Sequence, residues 1–429
     1  MRGWVRGTMR GAVRDTVAGL PRQFWWLWTS TLVNRLGGFV VTFLALYLTV
    51  QRGYSASYAG LVAALYGLGG AGGAVLGGVL ADRIGRRGTL LAAQFAAAAM
   101  TVALGVATGP AAIAGAAALL GLASNASRPA MSAMIADLVP PEDRVRAFSL
   151  SYWAINIGFG VSAAAAGFIA EAGYLWLFLG DAATTLLCAL VVFAKAGETL
   201  PSRVEQKEQK EGTEAGTPKG TGITLADVAR DRRFMAVVGL TFLVGAVMQQ
   251  GSSTLAIDMG ADGYSARQYG LVIAINGLVI VLLQIPLTHL VRGRGSGSRL
   301  AAGSLLLAWG FGLTAFAGSV AVYAVTVVVW TLGEIVHAPA SMAVVADLAP
   351  ATARGRYQGM YVLAWSGAAF AGPLAGGVTL DHLGRAAVWW GCAAVGTAAG
   401  AGYYLLLRPR RQAPAAPVET APARSSQPT

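Results

Sequence analysis

The chain reads Gly78-Val79-Leu80-Ala81-Asp82-Arg83-Ile84-Gly85-Arg86-Arg87 between two long apolar runs. The run before this loop covers residues 58–81, and the run after it covers residues 88–108. Each run is long enough to cross about 30 Å of membrane hydrocarbon as a helix. A short loop rich in arginine is typical of the cytoplasmic side of a membrane. The pattern therefore predicts two membrane-spanning helices joined on the cytoplasmic side.

Similar apolar runs recur along the whole chain. Hydrophobic residues make up 55% of the 429 residues and charged residues only 12%, whereas a soluble domain carries about 25% charged residues. Breaks at glycine, proline and charge clusters divide the chain into twelve predicted membrane segments, which we number 1 to 12. Their predicted bounds are 24–50, 58–81, 88–108, 111–138, 145–171, 174–194, 234–258, 267–291, 299–317, 320–347, 355–381 and 386–407.

The charged residues predict the orientation of these segments. With both termini cytoplasmic, only Arg52, Arg267 and Arg385 lie outside, and only Arg35 and Arg128 lie within the membrane. All other cations fall inside, as the positive-inside rule requires of a protein of the cell (inner) membrane. The net charge of +12 thus follows membrane topology, and we expect no nucleic-acid partner.

Three stretches fall outside the apolar segments. Residues 1–22 are basic and lack the features of a cleaved signal peptide, so we expect a cytoplasmic N-terminus. Residues 195–233 are too polar to form a core and predict a cytoplasmic linker, in which Thr224 caps a short helix before segment 7. Residues 409–429 are rich in proline, alanine and serine and predict a disordered cytoplasmic tail.

An internal repeat relates the two halves of the chain. A shift of 210 residues aligns the sequence at 53–56 with that at 263–266, and Pro129, Asp137 and Leu138 with Pro339, Asp347 and Leu348. Two matches at one offset indicate a duplication. We therefore predict an all-α membrane protein in which a six-helix bundle at 23–194 and another at 234–408 enclose a central cavity.

The loop between segments 2 and 3 resembles the signature loop of the major facilitator superfamily. The matching residues are Gly78, Asp82, Arg83, Gly85, Arg86 and Arg87, and the resemblance extends over residues 22–408. It implies a secondary transporter, working as a monomer, that alternates access to its cavity by rocking two halves. It also implies that these six residues form a cytoplasmic gate in which Asp82 binds a neighbouring helix end. Alternatively, the loop only fixes topology through its arginines.

A second resemblance lies in segment 11. Gly372, Pro373, Gly376 and Gly377 are similar to a Gly-Pro-rich motif that antiporters of the family usually carry in segment 5. Segment 5 of this chain reads Ser162-Ala163-Ala164-Ala165-Ala166-Gly167 instead, which weakens the case for antiport. Small residues at spacing four allow close helix approach, so we expect these positions to pack helices.

Three charged residues within the membrane are candidates for the transport site. Arg35, Arg128 and Glu334 lie in segments 1, 4 and 10, which line the cavity in the resembled family. A buried charge is costly and therefore indicates a partner or a function. We predict that Glu334 binds a coupling proton, with His337 one turn away as a secondary candidate. The alternative for Glu334 is a permanent ion pair with Arg35 or Arg128, and the alternative for His337 is a structural role.

Polar residues of segments 1 and 7 complete the predicted substrate cavity. It comprises Asn34, Arg35, Arg128, Gln249 and Gln250. The two arginines would attract an anionic group or hold helices together through Asp181 or Glu334. Asp137 and Asp347 end segments 4 and 10 beside cytoplasmic arginines, and we interpret them as gate or topology residues.

The sequence carries no P-loop, no metal-ligand spacing and no nucleophile with its base, so we expect neither an enzyme nor a cofactor. The leading hypothesis is proton-coupled efflux of a small amphipathic compound, which resembles the multidrug-efflux branch of the family. Its motifs are the Asp82 loop and the Glu334 pocket. The second is an uptake symporter or facilitator for a sugar or organic acid. A third is a membrane sensor that signals through the linker without transport.

Overall fold

A computed structural model describes residues 19–199, 224–291, 293–350 and 353–408. These residues form helices, turns and short connections and contain no strand. Most of the basic N-terminus, the linker between residues 200 and 223, and the C-terminal tail lie outside the described residues.

Fourteen α-helices build the twelve segments. Segments 1 and 7 each contain two α-helices, and each other segment contains one. In the first half the helices are Arg22–Leu36 and Val40–Leu46 (segment 1), Ala56–Ile84, Arg86–Val106, Pro110–Leu138, Arg144–Ala172 and Tyr174–Lys195. In the second half they are Arg232–Met248 and Thr254–Ala261 (segment 7), Ala266–Leu290, Ser296–Gly312, Val320–Leu348, Arg354–Leu383 and Arg385–Leu406.

Eleven of the segments are long and apolar enough to cross a membrane within the part of the chain that the structure describes. They are segments 1 to 11, and the protein is therefore a multi-pass membrane protein. Segment 12 is a helix of 22 residues, Arg385–Leu406, that does not reach the same apolar content. Its sequence consists largely of alanine, glycine, tryptophan and tyrosine, which are less hydrophobic than the leucine and valine of the other segments.

A short helix precedes segment 7 and confirms the predicted cap. Thr224 Oγ1 accepts a hydrogen bond from the Asp227 backbone N–H, and the Asp227 carboxylate accepts one from the Thr224 backbone N–H. This capping box begins the helix Leu225–Arg230. The hydrogen bonds from Thr224 lower the pKa of the Asp227 carboxyl below its usual value.

Segments from the two halves pack as antiparallel neighbours. Segment 2 packs along segment 11, and segment 5 packs along segment 8. Glycines permit this close approach, because a Cβ on Gly60 would overlap the Pro373 carbonyl oxygen and one on Gly277 would overlap Gly160. The four predicted packing residues of segment 11 divide between two neighbours. Gly372 and Gly376 face segment 7, whereas Pro373 and Gly377 face segment 2.

The two halves meet at one end of the molecule, which we call the Gly53 end after the turn between segments 1 and 2. There the Asp381 carboxylate of segment 11 accepts hydrogen bonds from the backbone N–H groups of Ala56 (3.1 Å) and Ser57 (2.6 Å). Tyr269 of segment 8 donates a hydrogen bond to the Thr42 carbonyl oxygen at 3.2 Å. These contacts join the second half to segments 1 and 2 and close the Gly53 end.

The opposite end, which we call the Gly85 end after the turn between segments 2 and 3, lies away from these contacts. Residues 148, 152, 156 and 160 lie on one face of segment 5 because they are spaced by four. Asn156 and Gly160 pack closely against Gly277 of segment 8. Phe148 and Tyr152 continue this face toward the Gly85 end, where they are 41% and 39% exposed. The contacts between the halves described here therefore lie toward the Gly53 end, whereas Phe148 and Tyr152 are exposed at the Gly85 end.

Candidate functional site

Segment 1 is broken in the middle, and the break creates the centre of the candidate site. Its first helix ends at Leu36, and the second begins at Val40. Gly37 and Gly38 favour the break because glycine weakens a helix. Gly37 also packs so closely on Thr184 that a Cβ there would overlap its side chain.

Asp181 of segment 6 stabilises this break. Its carboxylate accepts a hydrogen bond from the Val40 backbone N–H at 3.1 Å. A carboxylate at the N-terminus of a helix satisfies free N–H groups and interacts favourably with the helix dipole. Arg35 lies in the last turn of the preceding helix, where a cation is favoured for the same reason. The break therefore places one cation and one anion near the middle of segment 1.

A cavity of about 540 Å³ surrounds the break. Segments 1 to 6 line it, so it lies within the first half of the chain. Its polar lining includes Asn34, Arg35, Tyr66, Arg128 and Asp181. Arg35 lies close enough to the other three ionisable residues to interact with them electrostatically. The volume is typical of small-molecule binding sites.

The cavity extends toward the Gly85 end. Its lining includes Leu90, Ile135 and Phe148, which belong to the turns of segments 3, 4 and 5 nearest that end. Phe148 and Tyr152, which both line the cavity, are exposed.

The structure brings three of the five predicted cavity residues together. Asn34, Arg35 and Arg128 line the same cavity, and the Asn34 amide donates a weak hydrogen bond to Thr185 Oγ1 at 3.4 Å. Gln250 is placed elsewhere. It is buried between segments 7 and 11, where its amide nitrogen donates to the Gly372 carbonyl oxygen at 2.8 Å.

Gln250 is also fully engaged on its other side, because its amide oxygen accepts a hydrogen bond from Thr254 Oγ1 at 2.5 Å. Gln249 lies beside Gly372 at the same helix contact. The pair of glutamines therefore joins segments 7 and 11 in this state. Sequence position on segment 7 did not reveal this contact, because the contact depends on segment 11 and on the short 3₁₀ helix that residues 249–251 form.

Glu334 lies where segment 10 meets segment 8, apart from the arginines. Its carboxylate accepts a hydrogen bond from the Asn276 amide at 3.0 Å, and the same amide donates to Thr331 Oγ1 at 3.0 Å. Within the described ranges, Glu334 forms no ion pair with Arg35 or Arg128. Tyr152 of segment 5 lies close enough to interact electrostatically with Glu334. The carboxyl is therefore near the junction of the two halves.

His337 faces a different set of neighbours. Its ring packs edge-on against Tyr403 of segment 12, with 5.7 Å between ring centroids, and its Cβ lies against Gly303 of segment 9. The side chain is buried, and its Nε2 has no hydrogen-bond partner among the described residues. Although only one turn separates it from Glu334, His337 shares neither Asn276 nor Thr331 with that residue.

The predicted gate residues lie at the Gly85 end. Gly85 turns the chain with a positive φ of 103°, which few other residues adopt easily. Arg86 forms an ion pair with Asp137 of segment 4, so Asp137 ties segments 3 and 4 together. Arg83 lies beside Asp82 in the last turn of segment 2, and Gly78 lies near Pro129 of segment 4. Asp82 itself is exposed and has no ion-pair or hydrogen-bond partner in the described chain.

Glu198 is a gate-region residue that the sequence analysis missed. Its carboxylate accepts hydrogen bonds from the backbone N–H groups of Arg86 (2.9 Å) and Arg87 (3.1 Å) and so caps segment 3. Arg87 in turn donates to the Phe193 carbonyl oxygen at 2.7 Å. The position of Glu198 at the border of the polar linker gave no signal that distinguished it from the other acids there.

A second missed cluster lies at the Gly53 end of the second half. Arg385 forms ion pairs with Asp258 (3.2 Å) and Asp262 (2.7 Å). The Tyr323 hydroxyl lies 2.9 Å from both carboxylates and can donate its single proton to only one of them at a time. Trp389 also donates to Asp258 at 3.2 Å. The cluster joins segments 7, 10 and 12.

Comparison with known sequences identifies the family. The model of the Major Facilitator Superfamily matches residues 27–337 and 251–428. The chain belongs to this superfamily. Its members are transporters and not enzymes, so the chain is a membrane transporter.

Relatives and solved structures agree with this assignment. The chain is 25% identical over 367 residues to the uncharacterized MFS-type transporter YqjV of Bacillus subtilis, covering 84% of this chain and 87% of YqjV. It is 27% identical over 365 residues to the multidrug resistance protein MdtH of Aeromonas salmonicida, and the match covers 83% of this chain and 87% of MdtH. A crystal structure of a POT family transporter in complex with 5-aminolevulinic acid shares the fold, with a TM-score of 0.75 and 16% sequence identity. The match covers 91% of this chain and 97% of the POT family transporter.

Proposed function

We propose that this superfamily transporter exports a small amphipathic compound in exchange for protons, by alternating access. The observation that carries the proposal is the position of Glu334, a membrane carboxyl held by Asn276 near the junction of the halves. A carboxyl there gains or loses a proton at the same place where the halves move. The resemblance to MdtH, which is named as a multidrug resistance protein, supports an amphipathic cargo.

The proposal includes twelve spans in two six-helix halves, in the inner membrane with cytoplasmic termini. Segment 12 supports this count because its Trp389 and Tyr403 are fully buried against the second half. Under this orientation the Gly85 end is cytoplasmic, and the described state is open to the cytoplasm. Asp82 would then bind the start of segment 11 only in the opposite state, which agrees with its exposure here.

Transport in proteoliposomes tests the role of Glu334. A deletion strain is first screened for increased sensitivity to toxic amphipathic compounds, and the compound with the largest effect becomes the transport probe. Uptake of this probe into proteoliposomes is then driven by an imposed pH gradient. The variant Glu334→Gln, which cannot release a proton, should lose gradient-driven uptake but keep exchange of the probe across the membrane.

Glu171→Gln is the matched control, because Glu171 is an exposed carboxyl at the end of segment 5. It should behave like the wild type. If Glu334→Gln retains full gradient-driven uptake, the assignment of Glu334 is wrong. If the deletion strain loses growth on a single nutrient and does not become sensitive to toxic compounds, the result would instead favour the uptake symporter or facilitator.

A further inference from the structure

The cavity of the first half contains more positive than negative charge. Arg35 and Arg128 both line it, and among the described lining residues Asp181 is the one that is acidic. The Asp181 carboxylate is engaged by the Val40 N–H at the helix break, and in the described chain it forms no ion pair with either arginine. Two like charges in a membrane cavity repel each other and are costly to keep. An anionic ligand would offset both costs.

Two buried polar atoms in the same lining have no partner. Gln94 is 6% exposed and Ser30 is 1% exposed. Neither the amide oxygen of Gln94 nor the hydroxyl of Ser30 forms a hydrogen bond within the described residues. Buried polar atoms without partners are rare because each costs free energy, and they often mark the place of a ligand or water. The Gln94 oxygen can only accept, so its partner must carry a hydrogen-bond donor.

One part of the lining, on segments 3 and 4, is apolar. It includes Leu90, Ala93, Ala97, Leu120 and Ala123. A ligand that satisfies the whole cavity therefore needs an anionic group, a nearby hydrogen-bond donor and an apolar body. These features belong to one molecule of modest size, because the cavity volume is about 540 Å³.

We infer that this cavity binds amphipathic carboxylates with an adjacent N–H group, such as N-substituted amino acids. The carboxylate lies between Arg35 and Arg128, the N–H donates to Gln94 Oε1, and the apolar substituent packs on segments 3 and 4. The inference rests on the proposed transport function and specifies its substrate class. It assigns recognition of the anion to the first half, separate from Glu334 in the second half.

Binding of a matched pair of fluorescent ligands tests the inference. Dansylglycine carries a carboxylate, an N–H and an apolar ring system, and dansylglycinamide differs from it by lacking the negative charge. Dansyl fluorescence is measured as each ligand is titrated onto the full chain in lipid nanodiscs. Dansylglycine should bind saturably and at least about tenfold more tightly than the amide, as expected for loss of a charge-assisted hydrogen bond.

Variants locate the binding site. Arg128→Gln should lower the affinity for dansylglycine about tenfold and leave the affinity for dansylglycinamide unchanged. Arg128 is exposed to the cavity, so this variant should fold normally. Gln94→Leu should weaken both ligands, because both donate an N–H. Arg294→Gln, at an exposed arginine between segments 8 and 9, is the control and should change neither.

The outcomes separate this inference from the transport proposal. Equal affinity for the two dansyl ligands, or an unchanged preference in Arg128→Gln, would overturn the anion site. Gradient-driven transport of the compound found in the susceptibility screen is measured independently. If the pH gradient does not drive transport of that compound, proton-coupled export is overturned, whereas the outcome of the ligand titrations is unchanged.

Discussion

The Asp381 carboxylate, at the end of segment 11, accepts a 2.6 Å hydrogen bond from the backbone N–H of Ser57, in the first turn of segment 2. The two residues belong to different halves of the chain. Because segments 2 and 11 are antiparallel, the C-terminal acid of one lies beside the N-terminus of the other. Asp82 occupies the corresponding place on segment 2 at the opposite end. We propose that this pair of acids holds the halves together at alternate ends.

Replacing Asp381 by asparagine should favour opening of the Gly53 end. The neutral amide oxygen accepts weaker hydrogen bonds than a carboxylate and interacts less with the helix dipole. We expect a loss of about 1 kcal/mol, because the site is partly open to solvent and charge effects there are screened. Spin labels at Thr108 and Gly318, exposed positions in the two halves at this end, should report a larger population of long distances.

The spin-label experiment requires removal of the native thiols. Cys188 and Cys392 are both free and buried, and each is replaced by alanine in the background protein. Asp381→Glu is the control, because it keeps the charge. If Asp381→Asn leaves the distance distribution of the labels unchanged, the carboxylate does not hold this end closed.

Enlarging a glycine between segments 2 and 11 should disrupt transport. Gly377 lies so close to Ala56 that a Cβ would overlap the Ala56 carbonyl oxygen. Gly377→Ala should therefore push the helices apart, lower the melting temperature by several degrees and reduce the transport rate. Gly391→Ala is the matched control, because nothing lies within 4 Å of a Cβ built at Gly391. Equal effects of the two variants would argue against the close contact.

The sequence predicted the helices well because their signals are local. Long apolar runs identified segments 1 to 11, and the Thr224 cap followed from residue type and position. The arginine-rich loop and the family resemblance led to the correct superfamily. Asn34, Arg35 and Arg128 line one cavity, and they stood out in the sequence because polar and charged groups within a membrane segment are rare. Their role in substrate binding stays a prediction.

The positions of Gln250 and Arg385 could not be predicted because they depend on distant segments. Gln250 lies in the short 3₁₀ helix of segment 7 and donates to the Gly372 carbonyl oxygen, and no local pattern encodes that contact. Arg385 looked like an ordinary loop cation, yet its partners Asp258 and Asp262 lie more than a hundred residues away in the chain.

Segment 12 contains too much glycine and alanine to reach the apolar content of the other segments.

The Arg385 cluster should be a major source of stability for the second half. Arg385→Gln leaves the Asp258 carboxylate, which is 3% exposed, without its cation. Breaking a buried ion pair by removing one partner costs about 3 kcal/mol or more. Thermal unfolding of the purified protein in nanodiscs should show a clear decrease in melting temperature. The double variant Asp258→Asn/Arg385→Gln should recover part of the loss, because it no longer buries an unpaired charge.

The matched control for this cluster is Arg408→Gln, since Arg408 is exposed and packs over Tyr404. It should leave the melting temperature nearly unchanged. If Arg385→Gln is as stable as the control, the ion pairs at the Gly53 end contribute little to folding.

Glu198 should stabilise the first turn of segment 3. Glu198→Gln weakens the carboxylate cap on the N–H groups of Arg86 and Arg87, with an expected cost of about 1 kcal/mol. Hydrogen exchange followed by mass spectrometry should show faster exchange in residues 86–90. Glu142→Gln, at an exposed acid between segments 4 and 5, should leave this peptide unchanged. Unchanged exchange in Glu198→Gln would show that the cap is dispensable.

Paired distance measurements at the two ends test alternating access coupled to Glu334 most directly. One pair of spin labels is placed at Thr108 and Gly318 at the Gly53 end, and the other at Gly88 and Gly295 at the Gly85 end. Acidification should change the two distances in opposite directions, and Glu334→Gln should abolish this response to pH. Distances that change in the same direction, or a Glu334→Gln variant that responds to pH like the wild type, would contradict the account.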